Sequence, residues 1–142
     1  MEGLKLSKYR QVEASSKKYG EINDCVVCAI AMAYDIDYEL SHEICAKSGR
    51  IAGRPCHTMR AVYKATSILG IPHKLMSIPK QSNGSRYTVK TIANYLPIGN
   101  YIVRVDGHAL PLIDGHIYDD TNGRKHRIIE VYRIGSDLLE IL

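Results

Sequence analysis

The sequence predicts a single α+β domain, helices first and an antiparallel β-meander after them, on three observations. The first is the run Cys25 to Tyr34, which carries no charge and no strongly polar group. Its Ala-Ile-Ala-Met-Ala centre favours helix over strand. A solvent-facing helix would show polar residues on one side, so this is a helix buried on most of its sides. The second is the pair Asp106-Gly107 and Asp114-Gly115, with Thr121-Asn122-Gly123 after them, each set between apolar runs. Asp-Gly and Asn-Gly in that context are strong hairpin signals. The third is a length of 142 residues, 45% of them hydrophobic, with no internal repeat, which suits one domain with a real core.

Taken in order, residues 1–20 are polar with a basic bias (Lys5, Lys8, Arg10, Lys17, Lys18). They read as a loosely packed arm, a loop or a short element laid over the core. They hold no apolar stretch of the kind a secretion signal needs. No run of the chain approaches the roughly 18 apolar residues of a membrane span. The expectation is therefore a cytoplasmic protein whose four cysteines (Cys25, Cys28, Cys45, Cys56) are reduced thiols. The net charge of +4, from 19 basic and 15 acidic residues, does not call for nucleic acid. Phe and Trp are absent, and ten Tyr supply the aromatic surface, so that surface carries hydroxyls in need of partners.

Asn23 and Asp24 are good N-cap residues for the apolar helix. A second helix is expected from Tyr38 to Ala46 or Lys47, capped by Asp35 or Asp37 and ended by Ser48-Gly49. A Gly/Arg/Pro loop, Gly49 to Pro55, follows. Thr58 is placed to cap a third helix to about Leu69, with Met59, Val62, Tyr63, Thr66 and Leu69 at helical spacing and Gly70 closing it. Lys74 to Ile78 alternates like a strand. Thr88 caps a short helix to about Tyr95. The meander then runs through strands at Tyr101–Val105, His108–Ile113, His116–Asp120 and Arg127–Ile134.

Two features of this layout carry chemistry. Cys25 falls in the first turn of the buried helix, where the helix dipole and unpaired N–H groups favour a thiolate and can bind an oxyanion. In the meander, a two-residue turn at Asp114-Gly115 pairs Leu112 with Ile117 and makes His108 and Asp119 diagonal neighbours on one face. Pro111 lacks the N–H that strict pairing would use. A bulge there would shift the register by one and bring Asp120 forward in place of Asp119. A thiol, a His and a carboxylate that orients the His form a nucleophile–base–orienter set.

Asn23-Asp24-Cys25 opening a buried helix, Gly107-His108 on a hairpin, and Ile117-Tyr118-Asp119-Asp120 after it together resemble the papain-like cysteine peptidase superfamily. The likeness extends to small papain-like proteins of bacteriophages, with a Gly/Arg-rich loop like Gly49 to Arg54. The Gly-His and aromatic-Asp-Asp pieces are also similar to the His and Asp boxes of ubiquitin-specific proteases. The layout spans most of the chain from Ile22 to Ile134. The resemblance implies a papain-like fold and a thiol hydrolase, a cysteine peptidase or isopeptidase acting on a protein or peptide. It implies Cys25 as nucleophile, His108 as base and Asp119 as orienter, with no cofactor. Such enzymes place an oxyanion-hole Gln several residues before the Cys. This sequence has none there, and the role passes to Asn23 or to the Cys25 N–H.

Other readings use the same residues. Thiol acyl transfer needs the same three groups and differs only in the acceptor. A papain-like domain without turnover could instead act as a phage inhibitor of a host factor, with Arg50, Arg54, Arg60, Lys64 and Lys74 as a basic face. Cys25-x-x-Cys28 is a redox spelling, but no clear strand precedes it. Cys25, Cys28, Cys45, Cys56 and His57 lack the spacing of a zinc site.

Overall fold

A computed structural model of the chain describes residues 2–119 and 126–135. Asp120, the turn at Thr121-Asn122-Gly123 and the segment after Gly135 lie outside the described residues. Within them the architecture is α+β: five helices and one five-stranded antiparallel sheet. The helices are α1 (Glu2–Lys18), α2 (Cys25–Ala33), α3 (Tyr38–Lys47), α4 (Thr58–Leu69) and α5 (Val89–Ile92). The strands are β1 (His73–Leu75), β2 (Asn100–Val105), β3 (His108–Ile113), β4 (His116–Ile117) and β5 (Glu130–Ile134), in the order β1-β5-β2-β3-β4.

Helix α2 is the centre of the molecule. Val26, Val27 and Ala29 to Ala33 are all buried, so no side of the helix beyond its first turn needs polar residues. It packs on β3 and is flanked by α1, α3 and α4. The sheet face towards it carries Ile102, Ala109, Ile113, Tyr132 and Ile134. The opposite face carries Tyr101, Val103, Leu110, Leu112 and Val131, which pack with Val89 and Ile92 of α5. Alternation along β2, β3 and β5 thus feeds two apolar clusters, one on each side of the sheet. Polar groups inside this layer are paired. Ser41 Oγ donates to the Val27 carbonyl at 2.6 Å, and Asn100 Nδ2 caps the end of α2 through the Ala33 carbonyl at 3.1 Å.

The N-terminal segment departs from expectation. Residues expected as an arm or a short element form the 17-residue helix α1. It buries Val12 and lays Tyr9 against Tyr118, with ring centroids 5.6 Å apart. Polar contacts do the rest: Lys8 Nζ donates to the Ile36 carbonyl, and Ser16 Oγ donates to Asp24 Oδ2 at 2.6 Å.

Smaller corrections concern caps and faces. Asp37, not Asp35, caps α3, accepting from the Leu40 N–H at 2.8 Å. The N-cap of α4 is His57, whose Nδ1 accepts from the Arg60 N–H at 3.4 Å, and Thr58 is the first helical residue. The buried face of α4 is Thr58, Ala61, Val62 and Ala65, while Met59 and Tyr63 are exposed. The apolar stripe therefore runs one step round from the expected one, towards the smaller side chains that let α4 approach α2 and α3. Thr88 does cap α5, in a reciprocal capping box with Thr91. The helix is only one turn long and does not reach Tyr95. The strand expected from Arg127 starts at Glu130; Arg127 instead bridges Thr88.

Candidate active site

The meander delivers the geometry that the hairpin turns dictate. Asp114 and Gly115 both have positive φ, 49° and 87°, which matches the twist of a tight hairpin. Ile113 pairs with His116 and Leu112 with Ile117. The Tyr118 N–H then donates to the Pro111 carbonyl at 3.1 Å. Pro111 sits in register against Ile102 of β2, with no slip in the pairing. It has no N–H to return to Tyr118, and the β3–β4 ladder ends there. The freed chain carries Asp119 back across the start of β3. Nε2–H of His108 donates to Asp119 Oδ1 at 3.2 Å.

His108 touches Cys25 as well. Hydrogen bonding to the Asp119 carboxylate first, and to Cys25 second, raises the His108 pKa from its ordinary 6.5 to about 10 against the opposing effect of burial. The side chain is 22% exposed and that of Asp119 12% exposed. The imidazole is therefore an imidazolium at neutral pH, held between a carboxylate and a thiol.

The loop before Cys25 is built by charges. Glu21, with a side chain only 5% exposed, meets the equally buried Arg50 guanidinium at 2.7 Å and His42 Nε2 at 2.5 Å. Its other oxygen accepts from the Gly53 N–H at 2.9 Å. The Arg50 bond holds the Glu21 carboxyl down at about 2, although burial alone would raise it. Arg50 also donates to the Ile22 and Arg54 carbonyls. This residue was expected on a basic face; its side chain is 1% exposed and ties two loops together.

Asn23 lies at φ 54°, in the left-handed region that Asn tolerates. Its Nδ2 donates to the Gly53 carbonyl at 3.1 Å, which leaves one amide hydrogen for another acceptor. Asp24 occupies the N-cap position of α2, but its side chain makes no cap bond. Its Oδ2 accepts instead from Ser16, from Tyr38 at 2.8 Å and from Cys28 Sγ at 3.7 Å. The first-turn amides of α2 are thus not capped from within.

Two cavities meet at Cys25. One, of about 410 Å³, is lined by Asn23, Cys25, His108 and Asp119, with Tyr9, Glu13, Ser16 and Lys17 of α1 on its other wall. The second, of about 430 Å³, is lined by Cys25, His108, Cys56, His57, Met59 and Arg104 among others. Cys25, Gly107 and His108 belong to both. Cys28 lies one helical turn beyond Cys25. It is partly buried and lines the first cavity, and burial with the Asp24 charge raises its pKa, which keeps it a thiol.

Cys25, Asn23, His108 and Asp119 are brought together; Asp120 lies outside the described residues. Hydropathy gave no sign of the α1 wall, nor of the Glu21–Arg50 pair. His42 and His73, to which the sequence assigned no role, contact Glu21 and Thr66. Among the described residues no three His, Cys, Asp or Glu side chains converge as metal ligands, and no helix is long and apolar enough to cross a membrane. No family model matches the chain, and no curated protein or solved structure matches it.

Proposed function

We propose that the protein is a thiol hydrolase, a papain-like cysteine peptidase or isopeptidase. The observation that carries this reading is one imidazole that bonds Asp119 and stands beside Cys25 where the two cavities meet. A cation between a carboxylate and a sulfur stabilises the thiolate, which is the nucleophilic form. With Nε2 engaged by Asp119, Nδ1 is the nitrogen left to serve Cys25. In the reaction, the Cys25 thiolate attacks a carbonyl carbon. The oxygen takes up the charge and is met by the uncapped amides of α2 and by Asn23 Nδ2. His108 gives its proton to the leaving amine. It then takes one from water, whose oxygen attacks the acyl-enzyme and returns Cys25 to its starting form. Asp119 keeps the imidazole ring oriented throughout.

The two cavities favour a chain-like substrate. Each is large enough for one or two side chains, and the reacting pair lies where they meet. A polypeptide can therefore continue on both sides of the attacked carbonyl.

The test is alkylation of Cys25 by iodoacetamide at several pH values, read by peptide mass spectrometry, in the wild type and His108→Ala. His108→Ala should slow labelling at pH 6 about tenfold, since alkylation follows the thiolate and the variant removes the cation beside it. Equal rates in the two proteins would defeat the reading. Internally quenched peptide pools then separate hydrolysis from transfer, since an acyltransferase would release product only when an amine acceptor is added.

A further inference from the structure

Two cysteines stand outside this chemistry and form a cluster of their own. Cys45 lies in the last turn of α3 and is fully buried. Cys56 precedes the N-cap of α4 and opens into the second cavity. Cys56 packs against the buried cluster that contains Cys45. Ser48 bridges their surroundings: its Oγ donates to the Cys45 carbonyl at 2.7 Å and stands 3.7 Å from Cys56 Sγ. The chain between them holds Arg50 and Gly53, the groups that anchor Glu21 and Asn23.

We propose that Cys45 and Cys56 are a redox-active dithiol: a glutathione-type disulfide enters through the second cavity and reacts at Cys56, and Cys45 resolves the adduct into an internal Cys45–Cys56 disulfide. The proposal is independent of the function assigned to Cys25.

The order of attack follows from access and charge. Cys56 is the sulfur a reagent can reach. The Cys45 thiol beside it lowers the Cys56 pKa to about 7, helped by Ser48 and by the Arg50 charge and opposed by burial. The same contact, followed by burial, pushes the Cys45 thiol up, with Arg50 opposing. Cys56 releases its proton, and its thiolate attacks one sulfur of oxidised glutathione, forms a Cys56–glutathione disulfide and expels one glutathione thiolate, which takes up a proton. Cys56 then carries no negative charge, and its share in holding the Cys45 proton is gone. Cys45 loses that proton and attacks the Cys56 sulfur, and the second glutathione departs and takes up a proton. The dithiol has lost two electrons and two protons, and one oxidised glutathione has become two reduced ones. The new bond closes a ring around Arg50 and Gly53. Oxidation therefore rigidifies the loop on which Asn23 is anchored.

The experiment treats the whole chain with oxidised glutathione at neutral pH, quenches with acid, and maps disulfides on unreduced peptides. The wild type and Cys25→Ala should both yield a Cys45–Cys56 cross-link and a mass lower by two hydrogens. Cys45→Ala should stop at a stable glutathione adduct on Cys56, and Cys56→Ser should leave Cys45 unmodified. A Cys25–Cys56 cross-link in the wild type, a persistent adduct on wild-type Cys56, or no reaction at Cys56 would overturn the proposal. If Cys45→Ala does not fold, the wild-type map alone decides between these outcomes.

Discussion

The Tyr118 amide donates to the Pro111 carbonyl across 3.1 Å, and this bond determines where Asp119 falls relative to His108. Pro111 accepts but cannot donate, so its pair with Tyr118 makes a single bond and the β3–β4 ladder ends there. A residue with an N–H there could extend the ladder past Tyr118, holding Asp119 in the strand. Proline thus preserves the register of the hairpin while releasing the carboxylate to the imidazole.

That relationship makes a direct prediction for Asp119→Asn. The carboxylate is the first cause of the raised His108 pKa. Loss of an opposite charge at this distance lowers such a pKa by about 1 to 3 pH units. Titration of the His108 ring protons by NMR should show the midpoint falling from near 10 towards the ordinary 6.5. An unchanged midpoint would mean that Asp119 does not hold the imidazolium.

The same pair sets the alkaline limb of stability. The folded-state pKa of His108 is raised from 6.5 to about 10. Its contribution is fully present below the unfolded value and is lost as pH rises from 6.5 through 10. Urea midpoints should therefore fall between neutral pH and pH 10 in the wild type, and fall less steeply in Asp119→Asn. Parallel slopes in the two proteins would count against the linkage.

The acid limb belongs to Glu21, whose pKa is depressed from 4.5 to about 2. Its contribution is present above 4.5 and is lost as pH falls through 2. Glu21→Gln leaves the Arg50 guanidinium buried without its partner charge, which costs about 3 to 5 kcal/mol. The variant should melt earlier at pH 7 and lose less stability on acidification. A Glu21→Met/Arg50→Met double variant should recover much of the loss, since it removes both charges together.

How much of this was legible in the sequence depends on what holds each element. Helix α2 could be read because burial on nearly every side left no polar residue from Cys25 to Tyr34. The His108–Asp119 contact could be read because Asp-Gly turns fix a register, and a register fixes which side chains meet; Cys25 was read separately, from its place at the start of α2. Helix α1 could not, because Tyr9 and Val12 are its main inward groups and the remaining contacts come from Lys8 and Ser16. Side chains of that kind look the same in a loop as in a docked helix. Arg50 was misplaced for a related reason: nothing local distinguishes a buried Arg from a solvated one when its partner, Glu21, is 29 residues away. Thr58 was preferred to His57 as the cap of α4 because imidazole is not among the usual capping side chains.

Asp24 should matter more for docking α1 than for capping α2. Its Oδ2 gathers donors from α1, α2 and α3, namely Ser16, Cys28 and Tyr38. Asp24→Ala should cost about 3 kcal/mol, given the roughly 1.5 to 3 kcal/mol of a hydrogen bond to a charged group. Amide exchange should rise in α1 before it rises in α2. Equal protection of α1 in both proteins would show that Tyr9 and Val12 suffice to hold it.

Asn23 is the sharpest test of the oxyanion role. At φ 54° an Ala would strain the backbone, whereas Gly keeps the conformation and removes only the amide. Asn23→Gly should therefore remain folded, with only a small change in melting temperature. If Nδ2 meets the developing oxyanion, turnover of p-nitrophenyl acetate should drop by about 10² to 10³ in kcat, the usual cost of one oxyanion donor. KM should hardly move, because that donor acts in the transition state and not on the bound ester. The loop bond to the Gly53 carbonyl is lost in the same variant, so a positional effect needs its own control. Gly53→Ala supplies it: at φ 80° a side chain strains the loop backbone, while the Asn23 amide itself is retained. A fall in kcat confined to Asn23→Gly identifies the amide as the donor, and an equal fall in both variants assigns the effect to the loop.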